Sequence, residues 1–186
     1  MAFTQHLKNG VLYYTADGLC ATGGIHHGFS SRIGGVSPAP FDTLNLDIRC
    51  GDNDENIQEN YRRFCRAIGT DVHRVVLSQQ THHTNIRHVD ADDAGKGLWR
   101  DRDYCGIDAL ITDVPGLALT VFSADCGIIL LYDPIHQAVG AVHAGWRGCA
   151  AGILEKTIRE MTATYGSDPQ KLLCAIGPCI GQCCFE

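Results

Sequence analysis

The sequence lacks every short-range pairing of cysteine and histidine that marks a local metal or redox motif. No two of its 10 cysteines are spaced Cys-x-x-Cys, which removes zinc fingers, zinc ribbons and thioredoxin-like dithiols. Its 9 histidines form no His-x-His, no His-Cys-His and no His-x-Glu. Without the first two, a trinuclear copper cluster and a blue-copper cysteine have no local ligands. Without the third, a cytidine-deaminase-type zinc site has no acid–base glutamate, and the nearest match to its cysteine half, Pro178-Cys179 followed by Cys183, is one residue too long. Methionine is scarce, only Met1 and Met161, so thioether axial ligands are scarce too. No apolar run reaches membrane-spanning length; residues 127–132 are strand-sized. Positive charge is in deficit, 15 Lys and Arg against 21 Asp and Glu, for a net charge of -6. That balance argues against nucleic acid and anionic membrane as partners. The first residues show no basic segment leading into a long apolar one, so a cytoplasmic location with reduced cysteines is expected.

What is present fits one α/β domain over residues 1–186, an α/β (α+β) sandwich with a mixed sheet and flanking helices. Strands are expected at 10–15, 26–30, 74–78, 85–89, 108–112, 117–122, 128–132, 138–142 and 172–176. Several are rich enough in Val, Ile and Leu to be buried on both faces. A helix capped by Asn53 or Asp54 runs to Ile68, with Ile57, Tyr61, Phe64, Cys65 and Ile68 on one face and Gly69 as its stop. A second helix spans 152–165. Residues 31–38 form a glycine-rich loop, and 90–105 an exposed polar loop that is either a lid or plainly solvated.

Three reactive side chains stand at strand ends, where distant segments can converge: His82 in Gln79-Gln-Thr-His-His83, Cys126 in Ser123-Ala-Asp-Cys-Gly127, and His143 in His143-Ala-Gly-Trp-Arg-Gly148. Two neutral imidazoles and one thiolate would make an open zinc site with a free position for water or substrate. By spacing alone, the same residues fit a metal-free thiol hydrolase, with Cys126 as nucleophile and either histidine as base. They also fit a zinc-binding module without turnover, or a buried cysteine between two structural histidines.

A resemblance narrows these alternatives. His27-Gly-Phe-Ser-Ser-Arg-Ile-Gly-Gly-Val-Ser37, Leu44-Asn-Leu46, Gln80-Thr-His82, Asp108-Ala-Leu-Ile-Thr112, Ala124-Asp-Cys126, Val142-His-Ala-Gly-Trp-Arg-Gly148 and Ile176-Gly-Pro178 resemble, in order, the motifs of the YfiH/YlmD family of laccase-domain or "polyphenol oxidase" proteins. The resemblance implies a YfiH-like cysteine-hydrolase fold with one zinc on His82, Cys126 and His143. It also implies a purine nucleoside phosphorylase that acts with phosphate on adenosine, inosine, guanosine or methylthioadenosine, and that deaminates adenosine. Copper is not expected. Small-molecule nucleosides and phosphate are the implied partners, with a monomer or homodimer as the assembly. Relative to the family pattern the chain covers the N-terminal two-thirds, so the C-terminal part is expected to be lacking.

Supporting residues carry two readings each. Arg32, in a loop whose N–H groups can face an anion, is a phosphate contact or an exposed turn arginine. Asn45 meets substrate or caps a turn. Arg147, near a helix start, can bind phosphate, and Trp146 stacks on a purine or packs. Asp125 orients a ligand histidine, acts as a base, or is only a turn residue. His83 and His26, each beside another histidine, are expected to be bystanders.

Overall fold

A computed structural model describes residues 2–185, which divide into two compact units on either side of the 74–75 bond. The sequence reads as one domain because no Pro- or Gly-rich linker marks the division at 74–75.

The first unit holds β1 (Phe3–Lys8), β2 (Val11–Ala16), α1 (Asp17–Cys20), β3 (Phe29–Ser30) and α2 (Asp54–Ile68). The strands form one antiparallel sheet in the order β1-β2-β3. β1 has no buried face, so its hydrophobic pattern is silent and the sequence reading omits it. The Asn9-Gly10 pair, both residues at positive φ, is the two-residue hairpin turn that signals it. α2 has the expected boundaries. Asn53 caps it by accepting from the Glu55 N–H, and Gly69 ends it in the left-handed region. Ala67, Phe64 and Ile68 of α2 pack with Val11, Tyr13 and Leu44. Asn60, fully buried on the same helix, accepts from the Val36 N–H and donates to Ser37 Oγ and the Asn45 carbonyl.

The second unit holds β4 (Val75–Leu77), β5 (Ile86–His88), β6 (Ala109–Thr112), β7 (Ala118–Thr120), β8 (Gly127–Asp133), β9 (Ala138–Ala144), α3 (Trp146–Ala150), α4 (Ile153–Tyr165) and β10 (Leu173–Ile176). Five strands form a mixed sheet in the order β10-β8-β9-β6-β5, in which only β5 and β6 run parallel; β4 and β7 form a parallel pair. Alternation along β6 sorts the layers. Ala109 and Ile111 join the core with Ile153 and Met161 of α4, whereas Leu110 joins the core with Val76 of β4 and Leu117. The mixed sheet with flanking helices is the expected class. The short α3 escapes the sequence reading because five residues carry no periodicity.

The 90–105 segment is not simply solvated. Asp93 is buried and pairs with Arg87 and Lys96, each at 2.7 Å, while Arg102 and Tyr104 donate to the carbonyls of Ser78 and Leu77. Its charged residues are therefore tethers, and composition alone does not distinguish tethers from solvated charge.

The β8–β9 hairpin sets the position of the candidate site. Its register pairs Gly127 with Ala144 and Ile128 with His143, so its open end presents Cys126 next to His143. The closed end is fixed by buried Asp133, whose carboxylate accepts from the Ile135 and His136 N–H groups and meets His136 Nδ1 at 2.8 Å. Burial pushes this carboxyl up. The side chains of Ser167 and His136 and the two N–H groups outweigh burial and hold it at about 2, below its ordinary 3.8. A depressed carboxyl stabilises the fold fully above its unfolded value and loses that contribution as pH falls from about 4 towards 2. Asp133→Asn is therefore expected to lower stability near neutral pH by about 1–3 kcal/mol and to flatten the acid limb between pH 4 and 2. Urea unfolding across that range measures both.

Candidate metal centre

His82, Cys126 and His143 converge. Their ligand atoms all lie within 4.8 Å of one another, and they are the only such group of three or more His, Cys, Asp or Glu among the described residues. Three separate segments deliver them: the turn between β4 and β5, the turn before β8, and the end of β9. The imidazoles of His82 and His143 meet edge to face with centroids 4.9 Å apart.

Asp108, at the start of β6, organises the centre. Its side chain is fully buried and accepts from the backbone N–H groups of Thr81 (3.1 Å), His82 (2.9 Å) and His83 (3.0 Å). Its Oδ1 also meets His143 Nδ1 at 2.9 Å. Burial pushes the Asp108 carboxyl up, but the His143 ring and the three N–H groups together hold it below the usual carboxylate range. An ionised carboxylate only accepts, so Nδ1 of His143 carries the proton and Nε2 is the nitrogen with a lone pair for a metal. The same carboxylate cradles a turn in which His82 sits at φ 62°, a left-handed conformation uncommon outside glycine.

The neighbouring contacts fix the remaining geometry. The Gln80 amide pairs with the Phe122 backbone in both directions, accepting its N–H at 2.6 Å and donating to its carbonyl at 2.8 Å. This contact ties the His82 turn to the segment that leads to Cys126. A Cβ on Gly145 would stand 3.0 Å from His82 Cδ2, 3.3 Å from Cys126 Sγ and 3.4 Å from His143 Cε1. One on Gly148 would stand 3.2 Å from the His83 carbonyl. Both glycines let α3 close onto the histidine turn. Burial, with the charges of Asp125 and Cys149, pushes the Cys126 thiol up; a cation at the site acts in the opposite direction.

The donor set fits a metal. Ligand atoms around a tetrahedral zinc stand about 3.3–3.6 Å apart, and those of the cluster, within 4.8 Å of one another, would draw together on the ion. The histidine with a carboxylate on its far nitrogen is the arrangement that orients metal-bound imidazoles.

The other candidate residues have different surroundings. The carboxylate on His143 is Asp108, not Asp125; Asp125 is exposed, and its carbonyl accepts from the Ile180 N–H. In the sequence Asp108 heads an apolar strand and the Asp108-Ala-Leu-Ile-Thr112 motif, but neither signals its contact with His143. Arg147 is exposed, with its guanidinium 4.3 Å from the centroid of the Trp146 ring. Trp146 is 56% exposed, so it is not a packing residue within the described chain. Arg32 belongs to the first unit and is spent on Asp42, donating to its carbonyl and its carboxylate. The loop after it does not present free N–H groups to an anion. Those of Ile33, Gly34, Gly35 and Val36 go to Ser31 Oγ, Thr43 Oγ1 and Asn60 Oδ1. Asn45 also lies in the first unit, where its amide donates to Asp52 and Cys50 and accepts from the Asp47 N–H, the turn-capping arrangement.

Asp108→Asn is expected to weaken metal binding about 10–100-fold, the usual cost of losing such a partner. Gly145→Ala is expected to weaken it as well. Gly127→Ala, where the added carbon makes only ordinary contacts at 3.6 Å and 3.8 Å, is expected to leave it within about twofold. Competition with a chromophoric chelator reads all three.

Comparison with known proteins agrees with these motifs. Residues 26–186 match the family described as "Multi-copper polyphenol oxidoreductase laccase". The chain is 37% identical over 163 residues to a purine nucleoside phosphorylase of Streptomyces coelicolor, covering 88% of this chain and 64% of that protein. It is 32% identical over 162 residues to the purine nucleoside phosphorylase YlmD of Bacillus subtilis, covering 85% and 57%. The chain thus spans about three-fifths of the length of these curated relatives. Among solved structures, YlmD from Geobacillus stearothermophilus superposes with a TM-score of 0.87 at 32% identity, covering 98% of this chain and 67% of that one. The YfiH protein of Bacillus licheniformis also gives 0.87 at 32% identity, with 97% and 67% covered. With its motifs, its fold and its matched length in agreement, the chain belongs to the YfiH/YlmD family of laccase-domain proteins.

Proposed function

We propose that the chain carries the metal centre of a zinc-dependent purine nucleoside phosphorylase. The observation that carries this reading is the His82–Cys126–His143 cluster with Asp108 on His143, in a chain whose curated relatives bear the name purine nucleoside phosphorylase. Zinc is preferred to copper on the ligands. A multicopper cluster needs many imidazoles and a blue-copper site a weak axial thioether. Here two histidines gather with Cys126, and Met161 is buried in the core on the inner face of α4.

His82, Cys126 and His143 would hold the ion, with Asp108 fixing the tautomer of His143. When bound, zinc supplies a Lewis-acid centre with an open position for an oxygen ligand. Arg147, exposed on α3 and four residues after His143 in the chain, is suited to a phosphate through its forked donors. The Trp146 ring beside it offers a flat surface on which a purine can stack. Phosphate oxygen attacks the anomeric carbon of the ribose as the bond to the purine nitrogen breaks. Ribose 1-phosphate and the free base result, the base taking one proton. Asp125, exposed and next to Cys126 in the chain, would carry that proton. The substrates are adenosine, inosine, guanosine and methylthioadenosine. Deamination of adenosine to inosine and ammonia, with water in place of phosphate, belongs to the same proposal, as does a cytoplasmic location. No helix among the described residues is long and apolar enough to cross a membrane.

The Cys126–His143–Asp108 order also fits a metal-free thiol hydrolase. Metal content separates the two. The purified protein is expected to hold about one zinc per chain and, given adenosine and phosphate, to release adenine and ribose 1-phosphate. Cys126→Ala is expected to lose both zinc and turnover. Arg147→Ala is expected to retain zinc and raise the KM for phosphate about tenfold or more, by loss of a charge-assisted contact. Turnover without zinc would favour the thiol hydrolase. Full zinc and full activity in Cys126→Ala would overturn the assignment.

A further inference from the structure

The strands on either side of the His82 turn belong to different sheets. β4 pairs with β7, and β5 pairs with β6. Among the described residues, strand pairing therefore does not fix how far apart β4 and β5 stand. That spacing matters because the residues between them, 78–85, deliver His82. Asp108 grips the middle of this connection from the head of β6. The Gln80–Phe122 contact ties its first part to the chain after β7, the sheet partner of β4. Neither contact reaches from β4 to β5.

A closed circuit of contacts does. Tyr104 donates its hydroxyl to the carbonyl of Leu77, the last residue of β4, at 2.6 Å. Its ring centroid lies 4.4 Å from the guanidinium carbon of Arg87, the middle residue of β5. Arg87 Nη2 donates to Oδ1 of buried Asp93 at 2.7 Å, and Lys96 Nζ donates to the same oxygen at 2.7 Å. The Lys96 carbonyl then accepts from the Leu77 N–H at 3.0 Å, which closes the circuit. Arg87 Nε is buried without a hydrogen-bond partner, so the Asp93 bond and the tyrosine ring orient the guanidinium. Gly97 keeps the segment against β4: it sits at φ 93°, and a Cβ there would stand 2.8 Å from Leu77 Cβ.

We propose that Tyr104 and Arg87 are positioning residues for His82, holding β4 and β5 at the separation that keeps the 78–85 connection and its metal ligand in place. Neither belongs to the ligand cluster, and their role rests on the metal reading of that cluster. A ligand is only as fixed as the residues that support it. The connection has constant length, and three of its N–H groups are already committed to Asp108. A change in the separation of its ends is therefore passed to His82.

The test loads the protein with zinc and, separately, with cobalt, whose d–d bands report ligand geometry. Tyr104→Phe removes the bond to β4, and Arg87→Lys removes the planar group that stacks on the ring. Each is expected to weaken zinc binding about three- to tenfold, less than the loss of a direct partner of a ligand, and to shift the cobalt bands. Both act through one circuit, so the double variant is expected to lose less than the product of the two single losses. Ile158→Val trims the core on α4, outside the circuit. It is expected to lower stability to urea and to leave zinc affinity and the cobalt bands unchanged, which separates positioning from stability. Unchanged affinity and bands in Tyr104→Phe and Arg87→Lys, or the same changes in Ile158→Val, would overturn the positioning role and leave the metal centre standing. A wild-type protein that holds neither ion, or a Cys126→Ala variant that holds them as tightly as wild type, would overturn the metal reading and the positioning role with it.

Discussion

The candidate centre depends on one buried carboxylate. Asp108 has no water to solvate its charge, so burial alone would favour the neutral acid. Three backbone N–H groups and the His143 ring reverse that preference. The same four donors make Asp108 the fixed point of the site. They hold His82 in a left-handed turn and fix which nitrogen of His143 carries the proton. Removing one partner leaves either a bare buried charge or several unpaired donors, each costlier than the hydrogen bond itself is worth. The Asp108 cradle is thus a structural element and a chemical one at once.

The other two ligands depend on register. Cys126 and His143 flank the open end of the β8–β9 hairpin, and a slip of one residue would turn His143 to the opposite face. Asp133 holds the closed end, and Gln80 and Gly145 set the distances at the open end. None of these three meets substrate in the proposed reaction. Their work is to keep three segments from moving apart when the ion is absent, so that binding costs little reorganisation.

The sequence made some of this legible and hid the rest for physical reasons. α2 and most of the strands follow from periodicity and caps, and both signals are local. His82, Cys126 and His143 are legible because each sits in a distinctive short motif. Asp108 heads a motif too, but its role is not legible there, because it is defined by residues 25 to 35 positions away, and locally it looks like a strand's first residue. Asn60 is hidden in the same way, as a polar position on a helix whose apolar stripe draws attention elsewhere. Arg32 shows the same limit from the other side. An arginine in a glycine-rich loop suggests an anion, but Asp42 and the side-chain oxygens of Ser31, Thr43 and Asn60 satisfy the donors there. Partner choice over long sequence separation is what a single sequence does not display.

X-ray absorption at the zinc edge of the purified protein tests the central claim most directly. The account predicts a first shell of one sulfur at about 2.3 Å and two imidazole nitrogens at about 2.0–2.1 Å, with a light-atom ligand completing four-coordination. It predicts that the sulfur disappears in Cys126→Ser, while Cys183→Ser leaves the spectrum unchanged. A shell of two or more sulfurs, or a sulfur that survives Cys126→Ser, would place the metal elsewhere and contradict the account.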